Sequence, residues 1–109
     1  MSESLKNEIV QRMFRNFLDL MVLRLVQQEP LWGYKIIKYA MEKHGISIRH
    51  GALYPLLNNL EREGYLKSRK EAMNGRVRKI YEITSKGMKI VNTYNDYLKE
   101  QIEEAGIKT

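Results

Sequence analysis

The chain has 109 residues and a formal net charge of +6. This length is enough to bury a single hydrophobic core. The absence of cysteine excludes disulfides and thiolate metal sites. The two histidines, His44 and His50, follow no metal-ligand spacing, so we expect neither a metal nor a cofactor. The longest apolar stretch, Phe17 to Val26, is about half as long as a membrane-spanning helix, and the first residues lack a secretory signal, so we expect a cytoplasmic protein.

The first predicted element is a helix from roughly Asn7 to Gln28. Its apolar residues follow helical spacing over a wide face, which favours a central position in the core. The side chains on this face include Phe14, Phe17, Leu18, Met21, Val22 and Leu25. Pro30 closes the helix, and Gln27 to Gly33 is predicted to be a short connection.

A second predicted helix runs from about Gly33 to His44, where Gly45 supplies the positive φ that helix ends commonly need. Its apolar stripe and its water-facing side chains separate at helical spacing. The stripe is Ile36, Ile37, Ala40 and Met41, and the residues facing water are Lys35, Lys38, Glu42 and Lys43. Residues 45–49 make the turn to the next helix.

The third predicted helix, roughly His50 to Glu63, has one apolar face and one polar face. Its leucines stand at positions i, i+3, i+4 and i+7, and Pro55 falls near the first turn, where a missing N–H costs least. The leucines are Leu53, Leu56, Leu57 and Leu60, and the opposite face holds Gly51, Pro55, Asn58 and Arg62, flanked by Tyr54 and Asn59. That polar face has no acid at its centre and is suited to pressing against DNA.

Two β-like runs follow, Tyr65 to Lys70 and Val77 to Ile83. The Asn74-Gly75 pair in the loop between them is a strong hairpin signal, because both residues tolerate positive φ. Residues 67–82 hold six bases and two acids, whereas residues 1–32 and 83–109 are each neutral. A segregated basic surface attracts a polyanion, although charge alone fits a solvated strand pair equally well.

Thr84 is a suitable N-cap for the last predicted helix, roughly Ser85 to Ala105. Its apolar residues recur at three- and four-residue steps, and they are Val91, Tyr94, Leu98, Ile102 and Ala105. This line either packs back onto the first helix or, in the interpretation we favour, pairs with a second copy of the chain.

The order helix, helix, short turn, helix and basic hairpin is typical of a winged helix-turn-helix, a mainly α fold with a small β-hairpin. In that fold the third helix reads base edges in the major groove, and the hairpin, or wing, meets phosphates or a minor groove. We predict one compact unit in which residues 1–83 are a winged-helix DNA-binding domain with an N-terminal helix. Residues 84–109 are then a C-terminal dimerisation helix.

Several short runs carry a resemblance to a known family. They are Gly51-Ala52-Leu53-Tyr54-Pro55-Leu56-Leu57, Leu60-Glu61 and Gly64-Tyr65-Leu66, with Gly75-Arg76, Arg78-Lys79, Tyr81, Ile83-Thr84 and Gly87 around the wing, and Leu31-Trp32-Gly33-Tyr34 upstream. Over roughly residues 14 to 105, the chain resembles the PadR-like transcriptional regulators, in the branch with one helix after the wing.

The resemblance implies a repressor that dimerises through its C-terminal helix and binds an imperfect palindrome. Some members of the family release DNA when a small aromatic or drug-like effector binds near the dimer interface. Two features of this chain depart from the family pattern. Arg49-His50 replaces the usual N-cap serine and the residue after it, and the last helix offers Tyr94 and Tyr97 where drug-sensing members place a tryptophan.

The candidate DNA-binding side chains lie at the start and outer face of the third helix and on the wing. They are Arg49, His50, Tyr54, Asn58, Asn59, Arg62, Arg76, Arg78 and Lys79. Strand alternation places Arg76 and Arg78 on one face of the wing and Lys79 on the other.

Some of these side chains also fit a structural role. Tyr54 fits the edge of the core, and Arg62 fits pairing with Glu61 or Glu63. Trp32 is expected to be a core or hinge anchor.

The sequence leaves three functions open. Sequence-specific repression by a homodimer, associated with the nucleoid when bound to DNA, is the leading hypothesis. An architectural protein that coats DNA without strong sequence preference is the alternative, and the basic wing argues against a protein–protein module. Catalysis is not expected, because the sequence shows no nucleophile–base arrangement, phosphate-binding glycine loop or paired carboxylates.

Overall fold

The structure is a computed structural model that describes residues 3–5, 8 and 17–107. From residue 17 onwards its elements follow one order: α1 (Leu18–Gln28), β1 (Leu31–Trp32), α2 (Gly33–His44), α3 (His50–Arg62), β2 (Leu66–Met73), β3 (Arg76–Ile83) and α4 (Ser85–Glu104). The strands form an antiparallel sheet in the order β1-β3-β2. The predicted winged helix-turn-helix, mainly helical with a small hairpin, is confirmed.

Helix α1 lies in the middle of the core, as its wide apolar face predicts. From Leu20 to Val26 every residue except Arg24 is buried. Of the predicted first helix, residues 7–16 with Phe14 lie outside the described residues, apart from Glu8. The core is completed by residues from each of the other elements, namely Leu31, Ile36, Ala40, Leu53, Leu57, Leu60, Leu66, Tyr81 and Val91.

Strand β1 forms within the segment that was predicted to be a plain connection. Leu31 pairs with Tyr81, and Trp32 pairs with Ile80. Two residues are too few for a periodic pattern, so the strand exists only because the edge of β3 offers it hydrogen-bonding partners.

The wing is longer than predicted. Asn74 and Gly75 both have positive φ, 50° and 78°, which suits a two-residue hairpin turn with the twist of the flanking strands. The antiparallel ladder therefore continues to the pair formed by Met73 and Arg76.

Helix α2 keeps its predicted bounds and ends at Gly45, whose φ is 66°. Met41 is a correction to its predicted stripe, because this side chain is 49% exposed. Ile36 and Ala40 are fully buried on the side of α2 that meets the core, and Ile37 and Tyr39 are partly buried against it.

Thr84 ties the start of α4 to the end of α3. Its hydroxyl accepts a hydrogen bond from the Gly87 N–H at 3.0 Å, the predicted N-cap. The same hydroxyl donates to the Gly64 carbonyl at 2.6 Å. One side chain thus fixes the direction in which α4 leaves the wing.

Gly87 marks a close approach of α4 to the chain before the wing. A Cβ at this position would lie 2.3 Å from the Tyr65 carbonyl oxygen and 2.7 Å from Ile83 Cγ1. We expect Gly87→Ala to lower the free energy of unfolding by about 2–3 kcal/mol, because backbone atoms cannot move aside alone.

Gly51→Ala is the matched control, since nothing lies within 4 Å of a Cβ built at that helical position. It should leave stability unchanged or raise it by up to about 1 kcal/mol. Urea denaturation measures both variants, and equal stability of the two would contradict the expected clash.

Candidate nucleic-acid interface

The outer face of α3 is exposed along its whole length. The predicted binding residues on this helix and at its start all face solvent, and they are Arg49, His50, Tyr54, Asn58, Asn59 and Arg62. Leu53, Leu57 and Leu60 on the opposite face are buried and fix the helix to the core. The helix is fixed to the core and therefore presents basic side chains, amides and an aromatic ring in defined positions.

The first turn of α3 is braced by aromatic contacts. The rings of His50 and Tyr54 stack with centroids 6.3 Å apart and an interplanar angle of 19°. The tip of Tyr54 rests on α2, because a Cβ at Gly33 would lie 2.7 Å from its hydroxyl oxygen. Tyr54 thus contacts a neighbouring helix and stays exposed. Arg49 occupies the N-cap position without a side-chain cap, as the departure from the family pattern predicted.

The tip of the wing is the most exposed part of the sheet. Arg76 lies just after the Asn74-Gly75 turn, and the side chain of Val77 beside it is 70% exposed. Within residues 17–107 no ion pair holds the Arg76 guanidinium. Its charge is therefore available to a ligand.

Arg78 is engaged inside the protein. Its guanidinium carbon lies 3.3 Å from the centroid of the Trp32 ring, and Trp32 stands edge-on to Tyr34 at 6.4 Å. A cation over an indole face is a favourable contact, so the wing is pinned to strand β1. Trp32 is the anchor that the sequence predicted.

Lys79 points to the other face of the wing, as strand alternation predicted. Its ammonium nitrogen lies 3.2 Å from Oε1 of Glu61 at the end of α3. The Ser68 hydroxyl donates to Oε2 of the same carboxylate at 2.5 Å. Glu61 therefore pairs with the wing and not with Arg62.

These contacts change the acidity of both charged groups. The hydrogen bond from Ser68, followed by the contact with Lys79, lowers the pKa of Glu61. The hydrogen bond to Glu61 raises the pKa of Lys79. Both groups are accordingly ionised at neutral pH.

The remaining bases of the wing divide into paired and unpaired residues. Lys67 and Arg69 both contact Glu82, and Arg69 also lies 3.4 Å from Glu71. Lys70 is exposed and stands opposite Lys79 in the ladder. Lys70 was not among the predicted DNA-binding residues, although strand alternation from Ser68 places it on the face that meets α3.

The apolar line of α4 divides into two halves. Val91 is fully buried and Tyr94 and Leu98 pack against the same core, so Val91, which was predicted to pair with a second copy, is instead a core residue of this chain. Farther along, Ile102 is 37% exposed. Ala105, at the end of the helix, is exposed as well. The distal half therefore has no apolar partner among the described residues.

The described residues hold no helix with the length and apolar character needed to cross a membrane. Within the same residues, no cluster of histidine, aspartate and glutamate side chains could hold a metal ion.

Known proteins share this arrangement. The model of the transcriptional regulator PadR-like family matches residues 22–93. The transcriptional regulator Rv3488 of Mycobacterium tuberculosis is 33% identical over 64 residues, which are 59% of this chain and 60% of that protein. The chain thus matches less than two thirds of the length of that relative.

Two solved structures extend the likeness to nearly the whole chain. A PadR family transcriptional regulator from Eggerthella lenta has a TM-score of 0.78 and 28% identity, over 95% of this chain and 91% of that one. A PadR-like transcription factor from Bacteroides fragilis has a TM-score of 0.77 and 26% identity, over 91% and 96%. Because the family match includes α3 and the whole wing, this chain belongs to the PadR-like family of transcriptional regulators.

Proposed function

We propose that the protein is a sequence-specific repressor that binds a palindromic operator as a homodimer. One observation carries the proposal: the exposed polar face of α3 lies beside a wing whose tip offers the unpaired Arg76. A helix of this kind reads base edges in the major groove, and a basic wing adds phosphate contacts that hold the register.

The predicted residues take different parts in this proposal. Asn58 and Asn59 suit base reading, since an amide can bind adenine through two hydrogen bonds. The other exposed side chains suit phosphate and sugar contacts, and they are Arg49, His50, Tyr54, Arg62 and Arg76. Arg78 shapes the wing through Trp32, and Lys79 reaches a phosphate only by leaving Glu61.

The homodimer is supported by the distal half of α4. Its apolar line continues beyond the core, and Ile102, which is 37% exposed, is available to a second copy. A two-fold interface of this kind would present two α3 helices to half-sites about one turn of DNA, roughly 34 Å, apart. A small aromatic effector near this interface, beside Tyr94 and Tyr97, belongs to the proposal as well.

The test is fluorescence-polarisation binding to the DNA upstream of the protein's own coding region, against a scrambled duplex, over a series of salt concentrations. A regulator should prefer the native sequence by roughly three orders of magnitude and weaken steeply with salt. Equal binding to both duplexes would favour the architectural alternative and contradict the repressor.

Asn58→Ala is expected to relax preference at one base pair, costing about 1–3 kcal/mol of discrimination there. Affinity for scrambled DNA and the salt dependence should stay unchanged, because no phosphate contact is lost. Asn92→Ala on α4 is the matched control, since it removes an exposed amide far from α3. Competition with duplexes that vary at single positions measures the change, and equal loss on all duplexes would contradict base reading by Asn58.

A further inference from the structure

We propose that Glu61 determines specificity by holding Lys79 away from the DNA backbone and fixing the wing to α3. The inference rests on the proposed DNA-binding function. It adds an acidic residue to the predicted DNA-binding residues, whose charged members are otherwise basic. On the face of the wing that meets α3, the negative charge of Glu61 therefore contributes to specificity.

The geometry gives Glu61 both partners at once. It lies one residue before the end of α3, and each carboxylate oxygen contacts a different strand of the wing. Oε2 accepts the hydrogen bond from Ser68 on β2, and Oε1 lies 3.2 Å from the ammonium of Lys79 on β3. One side chain therefore joins α3 to both strands of the wing.

The ion pair between Glu61 and Lys79 is partly exposed to solvent, so a ligand can displace the carboxylate from the ammonium group. The side chains of Glu61 and Lys79 are 32% and 45% exposed, so solvent and a DNA phosphate reach the same ammonium group. A carboxylate and a phosphate offer lysine the same chemistry, two or more anionic oxygens at hydrogen-bonding distance. Glu61 thus competes directly with the DNA backbone for Lys79.

The competition affects random DNA more than an operator. A freed Lys79 would find a phosphate on any duplex and release a counterion there, whatever the sequence. On an operator, the base contacts of α3 fix the register, and a wing no longer tied to α3 loses the position from which Arg76 binds. Removing Glu61 should therefore raise sequence-independent affinity and lower discrimination.

The experiment compares Glu61→Gln with Glu63→Gln on a scrambled duplex across potassium chloride concentrations. Both variants remove one negative charge near the end of α3, so they are matched in net charge, but the Glu63 side chain is exposed and holds no wing residue. We expect the slope of log affinity against log salt to become steeper by about 0.9 in Glu61→Gln alone. Between about 50 and 200 mM salt this adds a three- to fourfold greater loss of affinity.

Lys79→Gln identifies the group responsible for the change. In the wild-type background it should leave the slope unchanged, and in the Glu61→Gln background it should remove the added slope. Because Lys79→Gln in the wild-type background retains Glu61, this variant tests the proposal even if Glu61→Gln does not fold. Ser68→Ala, which leaves the carboxylate in place, should keep the wild-type slope.

Two outcomes would overturn the inference while leaving the proposed function intact. One is equal slopes for Glu61→Gln and Glu63→Gln. The other is a wild-type slope that falls by about 0.9 in Lys79→Gln, which would show that Lys79 already contacts a phosphate. A wild-type protein that binds no duplex at low salt would instead overturn the proposed function, and this inference with it.

Discussion

Arg76→Glu is expected to weaken binding to every duplex, operator or scrambled, by about ten- to a hundredfold near 0.1 M salt. One lysine or arginine contact to a phosphate is worth about a factor of eight at that concentration through counterion release. The carboxylate adds repulsion from the backbone, which increases the loss. Because the wing tip reads no bases in this proposal, the ratio of operator to scrambled affinity should change little.

Among residues 17–107, Arg76 has no ion-pair partner, unlike Lys79 in the same strand. Arg78 is stacked on Trp32 and Lys79 is held by Glu61, so substituting either one also disturbs the protein. Arg76 stands at an exposed turn, and its replacement should leave the stability unchanged within about 0.5 kcal/mol.

Lys89→Glu, in the first half of α4, is the matched control for this charge reversal. It changes the net charge by the same amount on the exposed surface of α4. Polarisation titrations over a salt series measure both variants, and the salt slope should fall by about one unit or more only for Arg76→Glu. Equal weakening by the two variants would show that net charge, and not a contact at the wing tip, controls affinity.

The elements that could be predicted from the sequence are those governed by local chemistry. Gly45 ends α2, Asn74-Gly75 makes the turn of the wing, and Thr84 caps α4, each through contacts within a few residues. The leucines of α3 needed only helical periodicity. In these places the cause of the structure lies within a short stretch of the sequence.

The sequence predicted that the wing carries an excess of basic residues, but it did not predict the partners of those residues. The count of bases indicated a basic hairpin, yet it could not show that Lys79 meets a glutamate eighteen residues earlier or that Arg78 lies on a tryptophan. Such pairs depend on how α3, β1 and β3 pack. From the sequence, Glu61 was considered as a partner for Arg62, because a linear pattern shows which residues are close along the chain and not which meet in the fold.

The line of apolar residues on α4 shows the same limit. Val91 and Ile102 follow the same spacing, and periodicity alone assigns them the same role. The structure separates them because Val91 lies where α4 packs on α1 and β3, whereas Ile102 lies beyond the core. An interface with a second chain must therefore be sought beyond Leu98.

Ile102→Asp is expected to convert the proposed dimer to a monomer at micromolar concentration. In a two-fold interface the substitution occurs twice, and each carboxylate would be buried against apolar side chains without a partner. A buried unpaired charge costs about 2–5 kcal/mol, so the dimer dissociation constant should rise at least about a hundredfold. The fold of the protomer should survive, since Ile102 lies outside its core.

Asn92→Asp adds the same charge in the first half of α4, away from the proposed interface, and should leave the dimer intact. Asn92 is exposed, and it lies ten residues, about 15 Å along the helix axis, before Ile102. Sedimentation equilibrium measures the mass of both variants, and polarisation measures their binding to the operator. We expect Ile102→Asp to lose most of its operator affinity, because a monomer contacts one half-site at a time, and to lose less on scrambled DNA. A wild-type chain that sediments as a monomer would show instead that α4 needs no second copy, and a dimeric Ile102→Asp would place the interface on another surface.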